Sequence, residues 1–281
     1  MMRVKFWGVR GSIAAAGPET AQVGGNTSCV EVRVDDDTLI VLDAGTGLRR
    51  LGESLPAPVE AHLFLSHLHW DHIQGFPFFG PAYVPGNRIR VYAPERCAPN
   101  GDVRAALDAQ MRAPHFPVGL DAMRASLGFA AVAAGAELVV GAAKVQAAAA
   151  KHPNGCLAYR ISAGGRSVVY ATDTEHDASG RIDRQLVELA RGADILIYDA
   201  QYTNEEYAGK RGWGHSTAEE GARLAEAAGV GTLVLYHHDP THDDWQVARI
   251  EAATRARFPA TVAAREGLEL TLDTGSARSA A

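Results

Sequence analysis

The stretch Leu65-Ser66-His67-Leu68-His69-Trp70-Asp71-His72 decides how the rest of this chain is read. It places three imidazoles and one carboxylate within six residues, directly after the apolar run Leu63-Phe64-Leu65. Side chains alternate in direction at the end of a strand, so His67 and His69 can face one ion. Where the chain then turns, Asp71 and His72 can face a second ion a short distance away. Mixed imidazole and carboxylate donors suit zinc, manganese or iron rather than calcium or a thiolate-bound cluster.

Upstream of this stretch, Val4-Lys5-Phe6-Trp7 reads as a short strand ended by Gly8. Val30, Val32 and Val34 alternate with Glu31 and Arg33 as a half-buried strand. Asp35-Asp36-Asp37 turns that strand into its hairpin partner Leu39-Ile40-Val41-Leu42, and Asp43 follows, placed to cap the next helix. Downstream come two segments rich in glycine, proline and rings, Gly75 to Pro81 and Ala113 to Pro117. Their rings serve core packing, and beside the metals they can wall a pocket for a substrate base or acyl group. His115 is either an exposed loop residue or part of that pocket. Between them lie a strand from Arg88 to Tyr92 and a helix from Asp102 to Arg112.

The alanine-rich region Ala130 to Ala150 is weakly patterned, with a strand near Leu138 and another leading into Lys151-His152-Pro153. Leu157 to Ile161 and Ser167 to Tyr170 form a second hairpin around Gly164-Gly165, running into Thr172-Asp173. Ile182, Leu186, Leu189 and Ala190 share a helical face, and the strand Ile195 to Tyr198 ends at Asp199. Ser216 with Glu219 fits a capping box for a helix showing Ala218, Ala222 and Ala225 on one side. The strand Leu233 to Tyr236 ends in His237-His238, before an amphipathic helix from Asp244 to Arg257 and a last strand from Leu268 to Leu272. Hairpins in each half, with helices following strands, suit an α/β sandwich of two helix-covered sheets. No repeat and no compositional break divides it, so residues 1–273 read as one domain and residues 274–281 as a frayed tail.

A net charge of −6 argues against a general binder of nucleic acid or acidic membranes. Cys29, Cys97 and Cys156 are odd in number and widely spaced, which fits a reducing cytoplasm. Cys156 lies near His152 but reads as a small buried residue. The longest apolar uncharged stretch, Ala125 to Ala136, is too short to span a bilayer, and no apolar core of signal-peptide length opens the chain. The sequence therefore reads as cytoplasmic, with no membrane partner.

The histidine run resembles the signature of the metallo-β-lactamase superfamily of metal-dependent hydrolases. That resemblance implies a four-layer αββα sandwich with metals at one edge, where loops of both sheets meet. It implies two divalent metal ions, zinc first and manganese or iron as alternatives. By the same likeness His67, His69 and His152 hold one ion, and Asp71, His72 and His237 the other, with His238 as the rival for the last place. Asp173 bridges the two, Asp43 orients a ligand, and Asp71 and His215 carry catalysis. A bridging acid is typical of phosphodiesterase, thioesterase and lactonase branches and argues against the true β-lactamases.

Gly214-His215-Ser216-Thr217-Ala218 is similar to the His-Ser-Thr motif of the ribonuclease Z branch, which includes tRNA 3′-processing enzymes and small cyclic phosphodiesterases. There the histidine stabilises or protonates the phosphate in the transition state. The run Ala193 to Ala200 resembles the same branch, with Asp199 as its acid. Two departures favour a small substrate over tRNA. No long basic, glycine-rich arm is visible, and Tyr170 stands where tRNA-processing members carry an acid. The resemblance thus implies a phosphodiesterase acting on a small cyclic phosphodiester through a metal-bridging hydroxide. Its rivals are a thioesterase or lactonase, a tRNA 3′-processing endoribonuclease, and a non-catalytic sensor of metal or ligand. Arg10, Arg160, Lys210 and Arg211 read either as phosphate contacts or as solvated charges. Related enzymes are often dimers, but no surface stripe in the sequence demonstrates one, so a homodimer is an option that the sequence leaves open.

Overall fold

In the computed structural model, which describes residues 1–35, 38–177 and 179–273, two seven-stranded sheets lie face to face. The first contains β1 (Met2–Gly8), β2 (Cys29–Val34), β3 (Thr38–Leu42), β4 (Glu60–Phe64), β5 (Arg88–Pro94) and β6 (Ser126–Val132), side by side in that order. The second runs through β7 (Glu137–Val140), β8 (Ala143–Ala150), β9 (Cys156–Ala163), β10 (Arg166–Ala171), β11 (Ile195–Asp199), β12 (Thr232–Tyr236) and β13 (Thr261–Ala263). The last strand, β14 (Glu269–Leu272), returns to pair with β1.

Each sheet starts as an antiparallel meander and continues parallel, from β3 to β6 in one and from β10 to β13 in the other. Parallel neighbours need a crossover, usually helical. The long ones here are α1 (Gly47–Ser54), α3 (Val103–Gln110), α4 (Arg184–Ala190), α6 (Ala218–Ala228) and α7 (Asp244–Arg257). Two single-turn helices, α2 (Trp70–Ile73) and α5 (Asn204–Tyr207), lie in the loops. The halves therefore share a topology that their residues do not repeat.

Strand alternation sorts the apolar residues into three layers of contact. Ile40, Leu42, Val168 and Tyr170 fill the space between the sheets. Their neighbours Leu39 and Val41 face α1 and α3 on one outer side, and Val169 and Ala171 face α4 and α6 on the other. The result is the α/β, four-layer αββα sandwich.

Several local readings differ. β6 and β13 escape sequence inspection, the one because small residues dilute its alternation, the other because it has three residues. β8 is one unbroken strand whose alanines show no contrast between faces. The helix cap at α6 is Thr217, accepting from the Glu220 amide, while Ser216 bonds Tyr198 and His176 instead. α7 buries only Val247 and Thr254, so the amphipathic face expected of it is thin. His67 and His69 lie beyond the end of β4, so loop geometry rather than strand alternation sets their direction. Asp36, Asp37 and the tail from Thr274 lie outside the described residues. No helix among the described residues is long and apolar enough to cross a membrane.

Phe64 closes β4 immediately before the histidine loop, stacked on Tyr92 at 4.3 Å and edge-on to Tyr159 at 5.4 Å. Phe64→Ala should destabilise the protein by about 3–5 kcal/mol, since such a cavity between rigid sheets cannot collapse. Urea unfolding checks this, and a loss below about 1 kcal/mol would show that the sheets close over the gap.

Candidate metal centre

In open α/β sheets, ligands gather beyond the carboxyl ends of the parallel strands. Asp43 follows β3, the histidine loop follows β4, Asp173 follows β10, Asp199 ends β11 and His237 follows β12, while His152 comes from the loop after β8. Asp43, Asp173 and His237 adopt left-handed backbone, with φ of 62°, 48° and 60°. Asp and His tolerate that conformation better than most residues, and such strain persists where packing over-determines it.

The side chains converge in two sets that share Asp173. His67, His69 and His152 offer ligand atoms within 4.8 Å of one another, and so do Asp71, His72 and His237. Asp173 Oδ2 lies 3.7 Å from His67 Nε2 and 3.6 Å from His152 Nε2. Its other oxygen, Oδ1, lies 3.3 Å from His72 Nε2 and 3.2 Å from His237 Nε2. One carboxylate thus turns an oxygen toward each set.

Hydrogen bonds on the far ring nitrogens show what these atoms are prepared for. His72 Nδ1 donates to Asp43 at 2.7 Å, His152 Nδ1 to the Gly214 carbonyl at 2.8 Å, and His237 Nδ1 to Gln201 Oε1 at 2.9 Å. In each neutral ring Nε2 then carries a bare lone pair. Yet His72 Nε2 and His237 Nε2 stand 3.2 Å apart, with Asp71 Oδ2 3.1 and 3.3 Å from them. His67 Nε2 is buried without any hydrogen-bond partner. Lone pairs so arranged repel unless a proton or a metal cation sits among them. Burial alone would raise the Asp71 carboxyl, but His72 and His237 hold it well below the usual carboxylate range. Burial would lower the His72 imidazole, but Asp173, Asp71 and Asp43 lift it well above its ordinary value. The His67 imidazole is pushed down, first by burial and then by His72. The donor set therefore fits divalent cations bound by nitrogen and carboxylate.

A model of the β-lactamase superfamily domain matches residues 38–238, which take in every one of these side chains. The chain belongs to the metallo-β-lactamase superfamily. Ribonuclease Z of Haloarcula marismortui is 25% identical over 329 aligned positions, covering 95% of this chain and 96% of that one. Ribonuclease Z of Brevibacillus brevis is 36% identical over 101 residues, a stretch that spans only 34% of this chain and 30% of that enzyme. Among solved structures, the metallo-β-lactamase fold protein YhfI from Bacillus subtilis superposes with a TM-score of 0.74 at 21% identity, covering 96% of this chain and 98% of that one.

The scaffold of this metallo-β-lactamase fold also places groups that sequence inspection does not single out. Four fully buried tyrosines on successive strands of the second sheet each tie down one loop. Tyr159 donates to the Leu65 carbonyl, Tyr170 to Asp43 Oδ2 and Tyr236 to the Gly8 carbonyl, at 2.7–2.8 Å, while Tyr198 shares a 3.1 Å bond with Ser216. Tyr170, the departure noted above, is thus a clamp on Asp43. Glu175 accepts from the amides of Gly212 and Gly214 and from Tyr207, and so shapes the loop that carries His215. Gly214 has φ +88°, and a Cβ there would lie 2.3 Å from His152 Nδ1. In sequence, Tyr170, Tyr198 and Tyr236 stand shortly before Asp173, Asp199 and His237, while nothing comparable marks Tyr159.

His215 stands between the two sets, its ring 5.2 Å from that of His152 and 5.0 Å from that of His237. Its Nδ1 bonds Asp199 Oδ2 at 3.0 Å, and Asp199 also accepts from the Thr174 and Gln201 amides. Those bonds fill most of the acceptor positions of Asp199 and fix the His215 ring through Nδ1. Burial would lower the His215 imidazole, but Asp199, with Asp173 and Asp71 further off, lifts it to about 9. His238 points elsewhere, bonding the Ala264 carbonyl, and burial takes it down to about 3. Arg10 and Arg160 are not free for phosphate. Arg10 is buried and donates to the Gly24, Asp239 and His242 carbonyls, and Arg160 donates to the carbonyls of Leu189 and Arg191. Lys210 lies over Trp213, and Arg211 over Tyr207.

Asp43 accepts from the Ser66 amide and hydroxyl, His72 and Tyr170. Asp43→Asn keeps the shape but replaces an acceptor with a donor facing His72. Zinc affinity, measured by competition with a chromogenic chelator, should fall about 10–100-fold. An unchanged affinity would show that His72 needs no such support.

Proposed function

We propose that this protein is a dinuclear metal-dependent phosphodiesterase acting on a small substrate. His67, His69 and His152 would hold one ion, Asp71, His72 and His237 the other, and Asp173 both. Bound there, such ions polarise a phosphoryl group and bring the pKa of water toward neutrality. The observation that carries the reading is His215, tethered through Nδ1 to Asp199 and set between the two ligand groups. With Nδ1 engaged, Nε2 is the nitrogen left to meet a substrate oxygen. A histidine so placed can stabilise charge on a phosphate or pass a proton to the leaving oxygen. Ser12 donates its amide to Asp71 Oδ2 at 2.8 Å and holds that carboxylate toward His72 and His237. Gln201 holds the His237 ring by its Nδ1.

The names of the relatives support phosphodiester chemistry, since both are ribonucleases. Processing of tRNA is the second reading, favoured by the full-length match to the Haloarcula enzyme. The acidic balance of −6 and the lack of a long basic arm in the sequence favour the small substrate. Thioesterase or lactonase activity remains the rival for the same ligand set.

The metal-loaded protein should hydrolyse bis-para-nitrophenyl phosphate in preference to acyl-thioesters and lactones. His215→Ala should lower kcat on the phosphodiester by about 10²–10⁴-fold while metal content stays the same. Full activity in that variant would remove His215 from the mechanism, and a preference for thioester or lactone would replace the reaction. Chelation should abolish turnover, and added zinc or manganese should restore it.

A further inference from the structure

One turn holds the His69 ring by both of its nitrogens. His152, Pro153, Asn154 and Gly155 close on a bond from the Gly155 amide to the His152 carbonyl at 3.1 Å. Proline in second place and φ of 66° at Asn154 in third place fit a type II turn, which asparagine tolerates. The Cys97 thiol ties the turn down, donating to the Gly155 carbonyl at 3.1 Å. From the first residue of the turn, His152 Nε2 lies 3.1 Å from His69 Nδ1. From the third, the Asn154 side-chain nitrogen lies 3.2 Å from His69 Nε2.

His69 is thereby turned the other way round from its neighbours. His72, His152 and His237 engage Nδ1 and keep Nε2 for the cluster, whereas His69 points Nδ1 at His152. The His152 ring donates from Nδ1 to Gly214, so its Nε2 is bare and the His69 hydrogen lies on Nδ1 between the two rings. His69 Nε2 then accepts from the Asn154 amide. A cation held by His69 Nδ1 and His152 Nε2 requires the opposite tautomer, with the hydrogen on His69 Nε2. The half-buried ring can lose one hydrogen and take up the other by exchange with water.

We propose that Asn154 positions His69 through a carboxamide that serves the ring in both tautomers. Its nitrogen donates to Nε2 when Nδ1 carries the hydrogen. A half-turn of the amide plane brings round its oxygen, which accepts from the Nε2 hydrogen when Nδ1 binds a cation. A carboxylate could only accept and an ammonium only donate, so the amide is the group that suits both. This role rests on the reading of His67, His69 and His152 as a cation site, and it names the nitrogen of His69 that binds.

Glycine and aspartate both tolerate the left-handed backbone at this place, and Asn154 is exposed, so neither Asn154→Gly nor Asn154→Asp disturbs the core. Nitrogen-15 NMR of the histidines at about pH 8, above the ordinary imidazole range, reads the tautomers. In the wild type His69 should carry its hydrogen on Nδ1 without zinc and on Nε2 with it. In Asn154→Asp the Nε2 form should dominate even without zinc. Competition with a chelator should show one zinc bound about tenfold more weakly in Asn154→Gly and the other unchanged, with both affinities kept in Asn154→Asp. Unchanged affinity in Asn154→Gly, or both zincs weakened alike, would overturn the role. If no zinc binds, the reading of the metal centre fails separately, and the metal-free spectra decide. A shift to the Nε2 form in Asn154→Asp then supports the role, and an unmoved tautomer overturns it.

Discussion

Four carboxylates, those of Asp43, Asp71, Asp173 and Asp199, are buried at one edge of the sandwich. Among the described residues, no lysine or arginine lies within ion-pair distance of any of them, and their partners are histidines. Buried charge of one sign is expensive unless it is paired and hydrogen-bonded. Asp43 and Asp199 are satisfied by amides, hydroxyls and imidazole N–H groups. Asp71 and Asp173 accept fewer such bonds, from the Ser12 amide and the Thr172 hydroxyl, and otherwise face histidine nitrogens. In the proposed reading that division separates acids that orient a ring from acids that would hold a cation, and the surrounding structure can be understood as what holds it in place.

The sandwich meets this constraint by tethering each loop from the opposite side. The tyrosines fill space between or behind the sheets while their hydroxyls reach the Leu65 and Gly8 carbonyls and the Asp43 carboxylate. Apolar burial and site geometry are therefore coupled, because the ring packs the core and the hydroxyl positions the loop. The Gly214 carbonyl fixes His152, and Glu175 fixes Gly214, so a histidine of one loop depends on an acid of another. Such second contacts set ring orientation as firmly as the ligand atoms themselves.

Much of this was legible in the chain because the relevant residues are punctuation. Asp43, Asp173, Asp199 and His237 each stand where an apolar run stops, and their types are unusual in that place. The layers were legible too, since alternation in Val30 to Val34 and around the Gly164-Gly165 hairpin separates two faces. The tyrosine clamps were not, because a strand tyrosine looks the same whether its hydroxyl meets water or a carbonyl 94 residues away, as in Tyr159 to Leu65. Arg10 misled for a similar reason, since no local pattern distinguishes a buried guanidinium on three carbonyls from a phosphate contact. The cap at Thr217 was displaced by one residue because Ser216 is engaged by Tyr198, a tertiary contact that overrides the local motif.

The most direct test of the cation requirement is anomalous diffraction from crystals grown with zinc, recorded on both sides of the metal absorption edge. The account predicts two peaks, one among His67, His69 and His152, the other among Asp71, His72 and His237, with Asp173 between them. A site without ordered metal, its histidines sharing protons with Asp71 and Asp173, would contradict it.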